Sequence, residues 1–144
     1  MVSEFYNGYV KKNNMLFGIL IIALVTSIFF IIIPTGFFFT GDIHLLIGTL
    51  VGEYFTFKTR KETQSFIKLG VIVGAAGAFL ALILDALFFW IAYLIPGGYE
   101  YLLYFFLYLA VSSGIIYIMI GIIVGLLFGI SFRNRAAREE SPLL

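Results

Sequence analysis

Four apolar stretches alternate with short polar connections along the chain, over residues 15–33, 43–57, 67–95 and 101–132. A helix that crosses a bilayer needs about 20 mostly apolar residues, and only the second stretch falls clearly short of that length. The pattern predicts an all-α integral membrane protein, a four-helix bundle with one transmembrane domain over residues 14–132. Residues 1–13 and 133–144 are then an N-terminal and a C-terminal tail.

The basic residues all fall on one side of this predicted layout. They lie in the N-terminal segment, in the connection after the second stretch and in the C-terminal tail, whereas residues 34–41 and 96–100 contain none. Lys and Arg in short loops stay on the cytoplasmic side of a membrane. The sequence therefore predicts a multi-pass protein of the cell membrane with both termini in the cytoplasm. The nine basic residues are Lys11, Lys12, Lys58, Arg60, Lys61, Lys68, Arg133, Arg135 and Arg138.

Composition supports the bilayer as the main partner and excludes several other classes. Apolar residues make up 62% of the chain and charged residues 12%, against about 25% charged residues in a soluble domain. The net charge of +1 provides no field that would recruit nucleic acid. The absence of cysteine excludes disulfides and thiolate metal sites. With a single histidine and no metalloprotease, phosphate-loop or nucleophile-elbow motif, we expect a non-enzymatic protein without metal or cofactor.

Glycines recur at spacings of three or four residues in the last three stretches. Residues four apart share a helix face, and a face without side chains lets two helices approach closely in lipid. These positions are predicted to pack helices, either within one chain or against another subunit. They are Gly48, Gly52, Gly70, Gly74, Gly77, Gly121, Gly125 and Gly129.

The two halves of the chain share a short pattern. Residues 47–52 (IGTLVG) match residues 120–125 (IGIIVG), and residues 33–36 (IPTG) match residues 95–98 (IPGG). The match predicts an internal repeat of two hairpins, although a biased composition also produces such matches by chance.

Asp85 is the one charged residue near the predicted middle of the bilayer. An unpaired charge at that depth costs several kcal/mol, so we expect Asp85 to point into protein and to be neutral at pH 7. The hypotheses that remain open are a hydrogen-bonded contact between helices, an ion or proton site, and a contact with another subunit. The candidate partners at matching depth are Thr26, Ser27, Thr49, Ser112 and Ser113.

Three more polar residues lie in or next to the second stretch. Glu53 precedes Lys58 by five residues, and an ion pair that reaches the inner interface is predicted between them. Asp42 is predicted to cap the helix start. His44 has no second histidine or cysteine to form a metal site, and nothing specific points to pH sensing.

The segments Ile33-Pro34-Thr35-Gly36 and Ile47-Gly48-Thr49-Leu50-Val51-Gly52, with the run Gly70, Gly74 and Gly77, resemble those of small, glycine-rich, uncharacterised four-span membrane proteins of archaeal type. The resemblance covers most of the chain and implies the four-span fold. It implies no activity.

Two functions therefore remain as hypotheses. The first is a small subunit or self-assembling component of a membrane complex, with copies of itself or other membrane subunits as partners. The alternative is a small oligomeric transporter or channel with Asp85 as a mid-membrane ion or proton site. An intramembrane enzyme has the least support.

Overall fold

The computed structural model describes residues 10–32, 43–89, 91 and 114–139 of the chain. The regular structure within these ranges is helical, as the apolar pattern predicts. It consists of α1 (Asn14–Ile32), α2 (Ile43–Lys58), α3 (Phe66–Phe89) and α4 (Gly114–Glu139). Asp42, Ser112 and Ser113 lie outside the described residues.

Helix α4 continues beyond its apolar stretch. The apolar residues end at Phe132, and the helix extends through residues 133–139, the first part of the predicted C-terminal tail. This segment contains Ala and Arg residues, which favour helix, and Arg138 lies in the last turn, where a positive charge interacts well with the helix dipole. The helix therefore extends about two turns beyond its apolar part.

Within the described residues, three helices are long and apolar enough to cross a membrane: Asn14–Ile32, Phe66–Phe88 and Gly114–Glu139. They indicate a membrane-embedded protein. The fourth, α2, has 16 residues. It reaches about 24 Å, which is less than the roughly 30 Å of hydrocarbon in a bilayer.

The helices form two antiparallel pairs that lie side by side. In the first pair, Gly52 of α2 contacts Gly18 of α1. In the second, Gly70 of α3 contacts Gly125 of α4. α1 also packs against α3, and α2 packs against α4. Every helix thus contacts at least two others around a shared interior.

The interior combines small and polar residues with an apolar core around Ile22, Leu45 and Val73, and large aliphatic residues also cover the outside. Soluble bundles bury fewer polar residues and expose fewer large aliphatic ones. Exposed leucine and isoleucine side chains suit contact with lipid, where helices associate through small and polar residues. The buried polar residues are Asn14, Thr26, Ser27, His44, Thr49, Glu53, Thr56, Thr59 and Asp85, and the exposed aliphatic residues include Leu16, Leu20, Leu24, Ile28, Ile72, Ile115 and Ile123.

One end of the bundle is held by polar contacts around the α2–α3 connection. The side-chain amides of Asn14 and Gln64 form two reciprocal hydrogen bonds of 3.1 Å. The Lys61 ammonium donates to the Lys12 carbonyl at 2.7 Å. We call this the basic end, formed by residues 10–14, 58–66 and 129–139. Because it ties α1 to the α2–α3 connection, it fixes the register of the polar residues further inside.

Candidate functional site

Asp85 of α3 lies in the interior with both carboxylate oxygens hydrogen-bonded. Asp85 is only 3% exposed. The Ser27 hydroxyl of α1 donates to Oδ1 at 2.7 Å, and the Tyr117 hydroxyl of α4 donates to Oδ2 at 3.2 Å. The carboxyl group therefore faces protein, and it accepts hydrogen bonds from hydroxyl groups on two other helices.

His44 adds a residue from the remaining helix, α2. Its Nε2 lies 2.6 Å from the Tyr117 hydroxyl and 3.4 Å from Asp85 Oδ2. Because the Tyr117 hydroxyl donates to Asp85, its oxygen accepts the hydrogen bond from His44 Nε2–H. The Phe30 ring covers His44, with the two centroids 5.3 Å apart. We refer to Ser27, His44, Asp85 and Tyr117 as the Asp85 cluster.

This arrangement connects two titratable groups through one hydroxyl. When His44 carries protons on both ring nitrogens and Asp85 is ionised, the Nε2 proton can pass to the Tyr117 oxygen while the Tyr117 proton passes to Asp85 Oδ2, which leaves a neutral imidazole and a neutral carboxyl group. The net charge of the cluster stays at zero, because His44 and Asp85 together hold the same number of protons before and after. Histidine and carboxyl groups linked in this way are the usual elements of proton relays inside membranes.

The predicted partners of Asp85 are only partly brought together. Ser27 contacts Asp85, whereas the Thr49 hydroxyl donates to the Leu45 carbonyl of its own helix at 2.7 Å. Thr26 packs on Gly48, and its hydroxyl has no hydrogen-bond partner in the described part of the chain.

Sequence reasoning missed His44 and Tyr117 as partners. Each lies four residues before a glycine of the predicted packing faces, Gly48 and Gly121 respectively. Residues four apart share a helix face, so both side chains point inward with those glycines. This spacing is the signal that identifies them.

All eight predicted packing glycines are buried against another helix of the same chain. A Cβ at Gly70 or Gly125 would overlap the carbonyl oxygen of the other, and the same holds for Gly74 and Gly121. The remaining glycines contact α1 or the start of α3 in the same way: Gly48, Gly52, Gly77 and Gly129.

The predicted ion pair between Glu53 and Lys58 is wrong. Glu53 is fully buried, and neither carboxylate oxygen has a hydrogen-bond partner within the described residues. Lys58 is exposed, with its ammonium 6.0 Å from the centre of the Tyr54 ring. Five helical residues separate side chains by about 140° around the axis, so Lys58 faces outward when Glu53 faces inward.

Glu53 instead points at the glycine contact between α3 and α4. A Cβ on Gly125 would lie 2.9 Å from Glu53 Oε1, and one on Gly74 would lie 3.0 Å from it. The carboxyl group therefore fills the space that these two glycines leave open.

Metal binding has no support in the described parts of the four helices, which contain no group of three or more His, Asp or Glu residues suited to a metal ion. Comparison of the chain with protein-family models, curated proteins and solved structures finds no match. The Asp85 cluster and Glu53 are therefore the candidate functional groups of the bundle.

Proposed function

We propose that α2 is a fourth span and that both termini lie in the cytoplasm. The helix directions support this proposal, because the basic residues at the start of α1, the end of α2 and the end of α4 share one end of the bundle. The short α2 packs against α1 and α4 on one side and exposes an apolar face with Leu46, Leu50 and Val51 on the other, as a helix in contact with lipid would. Cysteines introduced at Thr63 and Gly97 should then react with an impermeant reagent from opposite sides. Reaction of both from the same side would contradict the topology.

The two-hairpin repeat is a second part of this proposal. Gly48 and Gly52 of α2 lie on the backbone of Ile22 and Gly18, and Gly121 and Gly125 of α4 lie on that of Gly74 and Gly70. In both pairs, two glycines four apart contact two positions four apart on the preceding helix. This equivalence supports an origin of the bundle from two copies of one hairpin.

The function we propose is proton transport across the membrane. The observation that carries it is the Asp85 cluster, in which each of the four helices contributes one side chain to a buried, continuous hydrogen-bonded chain. Ionisable groups are costly inside a membrane protein and mark transport pathways and proton relays. A contact that only joins helices needs hydroxyl or amide groups, whereas this cluster also contains an imidazole within reach of a carboxyl group.

The packing of the glycines gives less support to the alternative, a subunit that acts only by association. That hypothesis depends on glycine faces reserved for another chain. The glycine faces of α2, α3 and α4 are filled by helices of the same chain. We therefore propose that the protein transports protons while assembled with copies of itself or with other membrane subunits, and that assembly is not its function.

The test is proton uptake by liposomes that contain the purified protein. A potassium diffusion potential drives uptake, and an internal pH dye reports it. The wild-type protein should take up protons faster than empty liposomes. Asp85→Asn keeps the size and one acceptor oxygen but cannot ionise, so it should fold and lose the uptake. Wild-type uptake by a folded Asp85→Asn protein would contradict the proposal.

A further inference from the structure

Glu53 is the second buried carboxyl group among the described residues, and the Asp85 cluster does not use it. It lies nine residues after His44 on α2, which places it about 13 Å further along the helix, towards the basic end. Thr49 and Thr56 are buried on the same side of α2 and frame it. The interior of the bundle thus carries polar groups along α2 from the Asp85 cluster towards the basic end.

No charged group in the described part of the chain faces Glu53. On α3, Asp85 is bound within its cluster and Lys68 is exposed. On α4, Tyr117 belongs to the same cluster and Arg133 is exposed. The part of α1 nearest to Glu53, around Gly18 and Ile22, has no titratable residue. On α2 itself, Lys58 points outward and His44 belongs to the Asp85 cluster.

We propose that Glu53 is a proton-binding site, occupied when α3 and α4 are packed as they are here. An ionised carboxylate buried without a partner is very costly, whereas a protonated carboxyl group loses far less on burial. A proton needs a single oxygen atom as its acceptor. Metal cations need several ligands, and Ca²⁺ takes six to eight oxygens, whereas the described residues contain no group of three or more His, Cys, Asp or Glu residues around Glu53.

Gly74 and Gly125 leave the space that the Glu53 carboxyl group fills, and the packing around them keeps solvent away from it. A side chain on Gly74 or Gly125 would overlap backbone across the α3–α4 contact and would crowd Glu53 Oε1. In this packing the carboxyl group has no contact with solvent. Exchange of its proton therefore requires α3 and α4 to separate near this contact. The place of Glu53 in a transport pathway rests on the proposed function, but its proton occupancy does not.

Dicyclohexylcarbodiimide tests the site chemically, because this apolar reagent enters membranes and reacts with protonated carboxyl groups. The acid proton passes to one nitrogen of the reagent while the carboxyl oxygen bonds to its central carbon. Migration of the acyl group to nitrogen then leaves a stable acylurea, which mass spectrometry of the Glu53 peptide detects. We expect labelling of Glu53 in liposomes at pH 7, slower labelling at higher pH, and none in Glu53→Gln.

Asp85→Asn is the matched control, and it should leave the labelling of Glu53 unchanged. Sodium ions at constant pH should not slow the reaction, because slowing would identify a cation site and contradict the proposal. Infrared spectroscopy provides a measurement that does not depend on access of a reagent. The wild-type protein should show the carbonyl band of a protonated carboxyl group that Glu53→Gln lacks, and the absence of this difference at pH 7 would overturn the proposal.

The two proposals fail separately in these experiments. A Glu53 acid band in a protein without proton uptake would reject the transport function and keep the proton site. Proton uptake without that band would reject the site and keep the transport function.

Discussion

The two buried carboxyl groups of the bundle have opposite surroundings. Asp85 accepts hydrogen bonds at both oxygens and lies 3.4 Å from the His44 imidazole. Glu53 is buried more completely and has no partner for either oxygen among the described residues. The same chemical group is thus held in one place by donors from other helices and in the other by close backbone packing.

The spacing between helices explains the difference. Near Asp85, the neighbouring helices carry Ser27, His44 and Tyr117, whose side chains are long or polar enough to reach the carboxyl group. Near Glu53, the facing positions are Gly74 and Gly125, which have no side chains to donate hydrogen bonds. Glycine contacts bring backbones together and at the same time remove the partners that a buried charge needs. A glycine contact in a membrane bundle can therefore hold a carboxyl group in an environment without any polar partner.

The largest expected effect comes from filling the glycine contact beside Glu53. Gly125→Leu would place a side chain against the carbonyl oxygen of Gly70 and against Glu53. We expect a loss of stability of more than about 3 kcal/mol, or no folded protein, because overpacking at a backbone contact cannot be relieved by a rotamer change. Thermal unfolding in detergent measures it. Ile123→Leu on the exposed side of α4 is the control. Equal stability of the two variants would show that Gly125 does not pack against α3.

The next largest loss of stability is expected at Asp85, whose two carboxylate oxygens both accept hydrogen bonds. Asp85→Leu removes the acceptor of the buried Ser27 hydroxyl and one hydrogen bond of Tyr117. We expect a loss of about 2–4 kcal/mol, and a loss of less than about 1 kcal/mol for Asp85→Asn. Unfolding in detergent at one pH compares the two variants. If Asp85→Leu is as stable as the wild-type protein, the hydrogen bonds of the cluster do not hold the helices together.

Substitution of Glu53, whose carboxyl group has no hydrogen-bond partner among the described residues, should not lower the stability. Glu53→Met replaces it by an unbranched apolar side chain of similar length and removes no hydrogen bond that the structure describes. We expect unchanged stability or a gain of about 1 kcal/mol, because replacing a buried polar group by a packed apolar one is often neutral or stabilising. The same unfolding assay measures it, with Glu53→Gln as the comparison. A loss as large as that of Asp85→Leu would show that Glu53 has partners after all.

The fold follows from the sequence much more directly than the site does. Apolar stretches and four-residue glycine spacing depend only on helix periodicity, so the four helices and the burial of positions such as Gly74 and Gly121 are readable from them. The partners of a polar residue depend on helix rotation and on which helices are neighbours. Ser27 was within reach of that reasoning because its depth matches that of Asp85. His44 was missed because it was considered only as a metal ligand or pH sensor, although its position four residues before Gly48 places it on the inward face of α2.

The surroundings of Glu53 were also not predictable from the neighbouring sequence. Its sequence neighbourhood includes Lys58, and a charged residue one to two turns away suggests an ion pair. The inward face of α2 is set by Gly48, Gly52 and Thr49, and that face includes Glu53 but excludes Lys58. The packing of the whole bundle, rather than the nearest opposite charge, therefore decides the surroundings of this carboxyl group.

The most direct test of proton transport compares two hydroxyl groups that bind the same carboxyl group. Tyr117 lies between His44 and Asp85 in the relay, whereas Ser27 binds the other carboxylate oxygen and lies outside it. In liposomes driven by a potassium diffusion potential, Tyr117→Phe should lose proton uptake to the level of empty liposomes, and Ser27→Ala should retain most of it. Equal uptake by the two variants, with both folded, would contradict transport through the Asp85 cluster.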